Sequence, residues 1–287
     1  HQGTILKPGA PNPIEDLFPA PQGNFISKAS ANASFDILGK LNREHLQSRE
    51  GDSRLNARIQ SYELAARMQL AAPEAMDISK EPAYIRKLYG LDHNVQTFDK
   101  EINAIEEIDH FSRKCLVARR LLERGVRFVQ IWSGCDNGFP RRNWDSHEDV
   151  ERDHGPLAMG MARGSAALIL DLKQRGLLDE TLVIWGGEFG RTNYCQGNLS
   201  KDNYGRDHHP RCYTIWMAGG GIKPGIVYGE SDEFGYNIIR DPVHVNDFHA
   251  TILHLMGLNH EQLTYKHLGR RYRLTDVAGK VVEGILA

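Results

Sequence analysis

The sequence predicts an α/β fold in which helices flank a mostly parallel sheet. Apolar, β-branched runs of strand length alternate with longer segments of helical periodicity. The run at residues 181–185 (TLVIW) is almost continuously apolar, which is typical of a strand buried on both faces of a parallel sheet. Right-handed crossovers between such strands place helices on both faces, so we expect a layered architecture.

The first part of the chain is predicted to be irregular and then helical. Residues up to Gln22 have the proline, glycine and asparagine content of a surface segment, and we place no chemistry there. Apolar residues recur at helical spacing over residues 35–69, with a break at residues 50–53, which indicates a helical hairpin or lid. A further helix is predicted from about residue 102 to Arg124, ending at Gly125.

The second part of the chain carries the predicted strands. They are residues 126–132 (VRFVQIW), 181–185 and 213–217 (YTIWM), with helices at residues 157–174 and 245–256 that end at Gly176 and Gly257. Three strands make a thin sheet, so we expect an N-terminally incomplete chain whose sheet is completed upstream of His1. We predict one domain over residues 1–287, in which residues 1–110 form the lid-like segment and residues 111–287 the α/β core.

Composition favours a small-molecule site over a polymer-binding surface. The 287 residues contain 35 Lys and Arg against 37 Asp and Glu, without a basic run typical of nucleic-acid binders. No apolar stretch reaches the roughly 20 residues that a membrane-spanning helix needs. The 4 cysteines are scattered, without the paired spacing of a zinc ribbon, and are interpreted mainly as buried thiols.

A carboxylate and an imidazole occur together in the loop after the first predicted strand. Asp145 and His147 flank one residue, so both can reach the same ion from this loop. Carboxylate oxygen combined with imidazole nitrogen suits zinc, manganese or iron better than calcium. A surface salt bridge or a capping pair is the alternative interpretation.

Two further groups of candidate ligands lie beside the other predicted strands. Glu188 follows two glycines at the end of the second strand, where it binds a metal, caps the next helix or pairs with Arg191. Asp207, His208 and His209 are consecutive and precede the third strand. Because side chains alternate along an extended chain, at most two of the three face one ion, and the third is expected to orient a ligand.

Three motifs, in this order, resemble those of a known family. They are NWDSH at residues 143–147, TLVIWGGEFGRT at 181–192 and GRDHHP at 205–210. Through them, essentially the whole chain resembles the sulfatase-like family called domain of unknown function 1501 (DUF1501), within the alkaline phosphatase superfamily. The resemblance implies a three-layer α/β/α fold of the alkaline phosphatase type and export to a bacterial periplasm.

The resemblance also implies a two-metal centre. Asp145 and His147 would bind one ion, Glu188 would occupy the acidic ligand position of the second motif, and His208 or His209 would be the late histidine. Two divalent ions, zinc or manganese rather than calcium, would clamp a tetrahedral ester.

Arginines and hydroxyls near the motifs complete the candidate site. Arg191 and Arg206 can hold non-bridging oxygens, because guanidinium groups match phosphate and sulfate in a bidentate way; structural ion pairs are the alternative. The C-x-P-x-R and S-x-P-x-R motifs of sulfatases do not occur. Ser146 and Thr192 are interpreted as hydrogen-bonding groups, and so the sequence assigns no catalytic nucleophile.

The leading hypothesis is a metal-dependent hydrolase of a small-molecule sulfate or phosphate ester, with no nucleic-acid partner and no membrane span. One alternative is a non-catalytic binding or structural protein on the same scaffold, which the missing nucleophile favours. Another is a phosphomutase-like metalloenzyme, which would use the same two-metal chemistry.

Overall fold

The computed structural model describes residues 4–7, 14, 27–49, 51, 53–92, 109–134, 143–202 and 204–287. The helices within them are α1 (Lys28–Gln47), α2 (Ser53–Met76), α3 (Ala83–Leu88), α4 (Phe111–Leu122), α5 (Val150–Gln174) and α6 (Val245–Leu255). The strands are β1 (Val183–Trp185), β2 (Gly190–Arg191), β3 (His208–His209), β4 (Trp216–Ala218), β5 (Glu230–Ser231), β6 (Ile238–Arg240), β7 (Thr264–His267) and β8 (Arg270–Arg273). Among these residues, no helix is both long and apolar enough to cross a bilayer.

The strands pair only as two-stranded antiparallel sheets in the described residues: β1 with β4, β2 with β3, β5 with β6, and β7 with β8. The prediction of a three-layer α/β/α fold with a mostly parallel sheet is therefore wrong. An apolar, β-branched run favours extended backbone but specifies neither the partner strand nor its direction. In β1, the Ile184 side chain is 39% exposed, so this strand is not buried on both faces.

The predicted strand at residues 126–132 is also wrong. Its residues form no strand, and Phe128 and Trp132 are 70% and 71% exposed. β-propensity expresses how well side chains pack against neighbouring strands, and in the described residues this segment has no such neighbour. The loop that follows, at residues 135–142, lies outside the described residues, as does Cys135.

The predicted helices are confirmed where the structure describes them. α1 and α2 form the expected pair of helices around the break, and the Ser27 hydroxyl caps α1 by accepting a hydrogen bond from the Ser30 N–H at 3.2 Å. α5 and α6 end just before Gly176 and Gly257, whose φ angles of 68° and 75° suit glycine. Residues 50, 52 and 102–108 of these predictions lie outside the described residues.

The chain divides into two compact units. The first comprises His1–Arg86 and Leu116–Gln130, and the second comprises Lys87–Cys115 and Ile131–Ala287. All the candidate site residues belong to the second unit. Each unit is therefore formed by two stretches that are separate in sequence.

Helix α5 provides the core of the second unit. Its buried residues recur at the three- and four-residue spacing of one helical face and include Leu157, Ala167 and Leu172. Gly164 lies on this face, where an added Cβ would come within 3.1 Å of Phe111 and Ser112. The Asp149 side chain caps the N-terminus of α5 by accepting from the Arg152 N–H at 2.9 Å. The capped end follows directly on the loop that carries Asp145 and His147.

A buried ionic cluster stabilises the first unit. The Arg119 Nη2 lies 2.7 Å from the Glu81 Oε2, and the Arg120 Nη1 donates to the Glu81 Oε1. Arg120 also donates to the backbone carbonyls of Ala75 and Glu74 at 2.7 Å. Burial raises the pKa of Glu81, but the hydrogen bonds and charges of the two arginines lower it by more, so that its pKa is lowered overall.

We predict that Glu81→Ala lowers the free energy of unfolding by about 3–5 kcal/mol, because it leaves two buried guanidinium groups without their shared carboxylate. Urea denaturation at neutral pH measures the change. The matched control is Glu74→Ala, whose 67% exposed carboxylate pairs with Arg124 and should contribute less than about 1 kcal/mol.

The difference between wild type and Glu81→Ala should also depend on pH. A carboxyl group with a lowered pKa in the folded state stabilises the protein above the pKa of the unfolded chain, and this contribution disappears as the pH falls through the folded-state pKa. A difference that grows on acidification, or equal effects of the two variants at neutral pH, would contradict this role of Glu81.

Candidate metal centre

Three segments distant in sequence meet in the second unit. Strands β2 and β3 pair so that Gly190 lies opposite His209 and Arg191 lies opposite His208. The Arg206 N–H donates to the Ser146 carbonyl at 3.0 Å, which joins the segment preceding β3 to the Asp145–His147 loop. These backbone bonds bring side chains from all three sequence motifs into one cluster.

Asp145, His147 and His208 converge on one point. The Asp145 Oδ1 lies 3.0 Å from the His147 Nε2 and 2.9 Å from the His208 Nε2. The two Nε2 atoms are 3.2 Å apart. These three side chains form the group of potential metal ligands found in the described residues, and we call them the triad.

Protons alone cannot satisfy the triad. Each Nε2 carries at most one hydrogen, so at most two of the three short contacts can be hydrogen bonds. In the third contact, two hydrogens or two lone pairs face each other. A divalent ion bound at about 2.0–2.1 Å satisfies all three atoms, and a tetrahedron built on such bonds has edges of roughly 3.4 Å. The observed separations are near that value, so the triad fits one face of a metal coordination sphere.

Asp207 lies beside the second ring nitrogen of His147. The His147 Nδ1 is buried without a hydrogen-bond partner among the described residues, and the Asp207 Oδ1 lies 3.9 Å from it. The same carboxylate oxygen accepts from the His208 N–H at 2.7 Å. An imidazole that ligates a metal through one nitrogen commonly donates its other N–H to a carboxylate. Asp207 is the carboxylate beside this nitrogen, and a shift of about 1 Å would bring the two atoms within hydrogen-bond distance.

Arg191 forms an ion pair with the carboxylate of the triad in this structure. Its Nη1 lies 2.5 Å from the Asp145 Oδ1, and its Nη2 lies 3.4 Å from the Glu188 Oε1. Partial burial raises the pKa of Asp145, but the hydrogen bonds from Arg191 and His208, with the charges of Arg191 and His147, lower it to about 2. Asp145 is therefore ionised, as a metal ligand must be.

The remaining candidate ligands do not join the triad. The Glu188 side chain is 64% exposed and pairs with Arg191. His209 is buried, its Nε2 donates to the Tyr236 carbonyl at 2.6 Å, and its ring stacks on that of Tyr236. Arg206 donates to the carbonyls of Tyr204 and Gly205, its own chain neighbours, at 3.0 and 3.1 Å. Of the two candidate arginines, Arg191 is therefore the one that contacts the triad.

Buried hydroxyl groups support the ligand loops. The Ser146 hydroxyl donates to the Asp153 Oδ2 at 2.7 Å, which ties the Asp145–His147 loop to helix α5. The Thr192 hydroxyl donates to the Tyr194 carbonyl at 2.6 Å and accepts from the Asp207 N–H at 3.0 Å. Sequence reasoning missed Asp153, because an acidic residue in the first turn of a helix is common and only the structure shows that this one is buried.

Gly205 allows the ligand loops to approach each other. A Cβ at this position would come within 2.0 Å of the His147 carbonyl carbon and 2.2 Å of its oxygen. No side chain fits that space unless one backbone segment moves. The glycine of the third motif is thus required by the contact between two loops and not by an unusual φ angle.

The fold and the triad define a mixed α/β protein with a candidate site for a divalent metal. A family model described as "Protein of unknown function (DUF1501)" matches residues 1–286, and the chain belongs to this family. No curated protein and no solved structure gives a match.

We predict that Gly205→Ala weakens divalent-metal binding by at least about tenfold, because the displaced His147 no longer meets Asp145 and His208. Calorimetric titration with Zn²⁺ measures the affinity. Gly155→Ala is the control, since Gly155 lies in α5 with no atom within 4 Å of an added Cβ. Unchanged affinity in a folded Gly205→Ala protein would show that the loop contact does not position the ligand.

Proposed function

We propose that the protein is a divalent-metal-dependent hydrolase of sulfate or phosphate esters. The observation that carries the proposal is the convergence of Asp145, His147 and His208 beside the guanidinium group of Arg191. The motif resemblance to sulfatases and alkaline phosphatases supports the same chemistry. Three ligands leave coordination positions open, as in hydrolytic metal sites.

The donor set favours zinc or manganese over calcium, because two imidazole nitrogens accompany one carboxylate oxygen. A bound ion would polarise an ester oxygen and lower the pKa of a coordinated water. Glu188, which pairs with Arg191 beside the triad, is the carboxylate that would contribute to a second ion. Ser146 and Thr192 already donate their hydroxyl hydrogens to the Asp153 carboxylate and the Tyr194 carbonyl, so the attacking group in this proposal is water.

Arg191 has two alternative roles at the site. Because a cation in the triad and the guanidinium group compete for the same Asp145 oxygen, metal binding weakens the Arg191–Asp145 pair. Glu188 lies on the other side of the guanidinium group and can keep it near the site. The released N–H groups then face an incoming tetrahedral anion, whose oxygens match the guanidinium geometry.

A non-catalytic metal-binding protein is the second candidate function. The specific observation in its favour is that both hydroxyl groups nearest the ligands in sequence are held in hydrogen bonds. In that case the bound ion would stabilise the contact between three loops, and the protein would hydrolyse no ester.

We predict that His208→Ala and Asp145→Ala each weaken Zn²⁺ or Mn²⁺ binding by at least about 100-fold and abolish turnover of nitrophenyl sulfate and nitrophenyl phosphate. Asp207→Asn should have a smaller effect of about 10–100-fold, because it changes only the support of a ligand. The exposed His267→Ala serves as the histidine control.

These measurements separate the two candidate functions. Metal binding that depends on the triad, without turnover of either ester, would favour the non-catalytic protein. If no divalent transition metal binds to wild type and the variants behave alike, neither function stands.

We also predict opposite effects of Arg191→Ala on metal binding and on catalysis. Removing the competing cation should strengthen Zn²⁺ binding about tenfold, equivalent to about 1.4 kcal/mol. The kcat/KM for the ester should fall at least about tenfold, because the oxygens of the substrate lose a bidentate donor. Titration calorimetry and steady-state kinetics measure the two quantities, and Arg211→Ala controls for the loss of one exposed positive charge. Weaker metal binding by Arg191→Ala would exclude the competition.

A further inference from the structure

The hairpin formed by β7 and β8 is regular and well anchored at its base. Tyr265 pairs with Tyr272, and their rings stack with centroids 5.7 Å apart. Leu268 and Gly269 form the two-residue turn, and their φ angles of 47° and 83° have the signs that a type I′ turn requires. At the base, the Arg273 Nε donates to the Asp276 carbonyl at 2.7 Å. The turn is therefore supported by a regular pair of strands.

Positive charge is concentrated beside the turn. Lys266 lies directly opposite Arg271, and His267 lies opposite Arg270. Residues 264–273 contain no acidic side chain, although the whole chain has a net charge of −2. Like charges placed opposite each other on paired strands destabilise the pairing. Arg270 lies over the Tyr272 ring, 5.0 Å from its centroid, and Arg271 donates to the Thr264 hydroxyl at 3.5 Å. In the part of the chain that the structure describes, neither these arginines nor Lys266 form an ion pair, so their charges are available to an external anion.

Leu268 is at the apex of this charged hairpin. Its side chain is 92% exposed, and its φ angle of 47° is one that asparagine and glycine adopt more readily than leucine. Leucine therefore contributes no packing to the fold at this position, and asparagine would suit the backbone conformation better. An apolar apex flanked by Lys and Arg, with tyrosines nearer the base, is the arrangement that suits the boundary between lipid headgroups and acyl chains.

We propose that the β7–β8 hairpin docks on an anionic phospholipid surface. Lys266, Arg270 and Arg271 contact the phosphate groups, and Leu268 enters the layer beneath them. A nucleic acid or a sulfated polysaccharide would bind the cations but leave Leu268 in water. A bilayer explains both the cations and the exposed leucine. This proposal goes beyond the ester hydrolase and does not depend on the metal site.

Co-sedimentation with vesicles tests the proposal on the full chain. Wild type should bind vesicles of phosphatidylcholine mixed with phosphatidylglycerol and not vesicles of phosphatidylcholine alone, and binding should weaken as salt is added. Each cation near an anionic surface contributes about fivefold to the partition coefficient, so Lys266→Glu/Arg271→Glu should lower it by about 25-fold or more. The matched control is Lys40→Glu/Arg43→Glu, which makes the same charge change on the exposed surface of α1.

Leu268 variants separate a bilayer from other polyanions. Leu268→Asn keeps every charge and suits the turn, yet it should lower the partition coefficient about fivefold because the apolar contact is lost. Leu268→Trp should show a blue shift in tryptophan emission on anionic vesicles that wild type does not show.

The proposal fails if wild type ignores anionic vesicles, or if Leu268→Asn binds as well as wild type. It also fails if double-stranded DNA or a sulfated polysaccharide retains the protein while vesicles do not. Equal loss in the α1 control would assign binding to net charge and overturn the role of the hairpin.

Discussion

One oxygen atom, the Asp145 Oδ1, is the point on which the candidate site depends. It is contacted within 3.0 Å by His147 from its own loop, His208 from β3 and Arg191 from β2. Without a negative charge at that point, two imidazole groups and a guanidinium group would have no reason to approach one another so closely. The same charge can serve a metal ion, and this is why the Arg191 pair and the metal are alternatives.

The backbone sets how closely the ligand segments approach. β2 and β3 share only two residue pairs, yet their register places Arg191 beside His208. Gly190 and Gly205 leave space for the neighbouring carbonyl groups of Cys212 and His147, where an added Cβ would lie 1.9 and 2.2 Å from the carbonyl oxygens. Gly190 and Gly205 are thus explained by the close approach of neighbouring backbone segments, while the charged residues beside them supply the chemistry.

The two proposed surfaces differ in how their charges are balanced. In the triad region, positive and negative groups contact one another, and the carboxylate of Asp145 stays ionised at a pKa of about 2. In the β7–β8 hairpin, Lys266 faces Arg271 across the strands, and both side chains are exposed. The first pattern is typical of a preorganised site, and the second of a surface that awaits an anionic partner.

The sequence by itself determined the longer helices, though not α3, and the types of residue at the site. Helical hydrogen bonds join residues four apart, so the periodicity ending at Gly176 or Gly257 was sufficient to place α6 and the C-terminal end of α5, whereas α5 begins earlier, at Val150, than the predicted residue 157. The motifs also identified Asp145, His147 and His208 as candidate ligands. Alternation along the segment indicated that at most two of Asp207, His208 and His209 could face one ion, but not which of them would do so.

Only the tertiary structure decided which strands pair and which candidates meet. The direction of β1 and β4, the exposure of residues 126–132 and the separation of His209 from the triad all depend on contacts between distant segments. An apolar run or an acidic side chain has the same local preference whichever partner it finds. The parallel sheet was therefore predicted wrongly, while the group of Asp145, His147 and His208 could be recognised only after β2, β3 and the Asp145–His147 loop had been brought together.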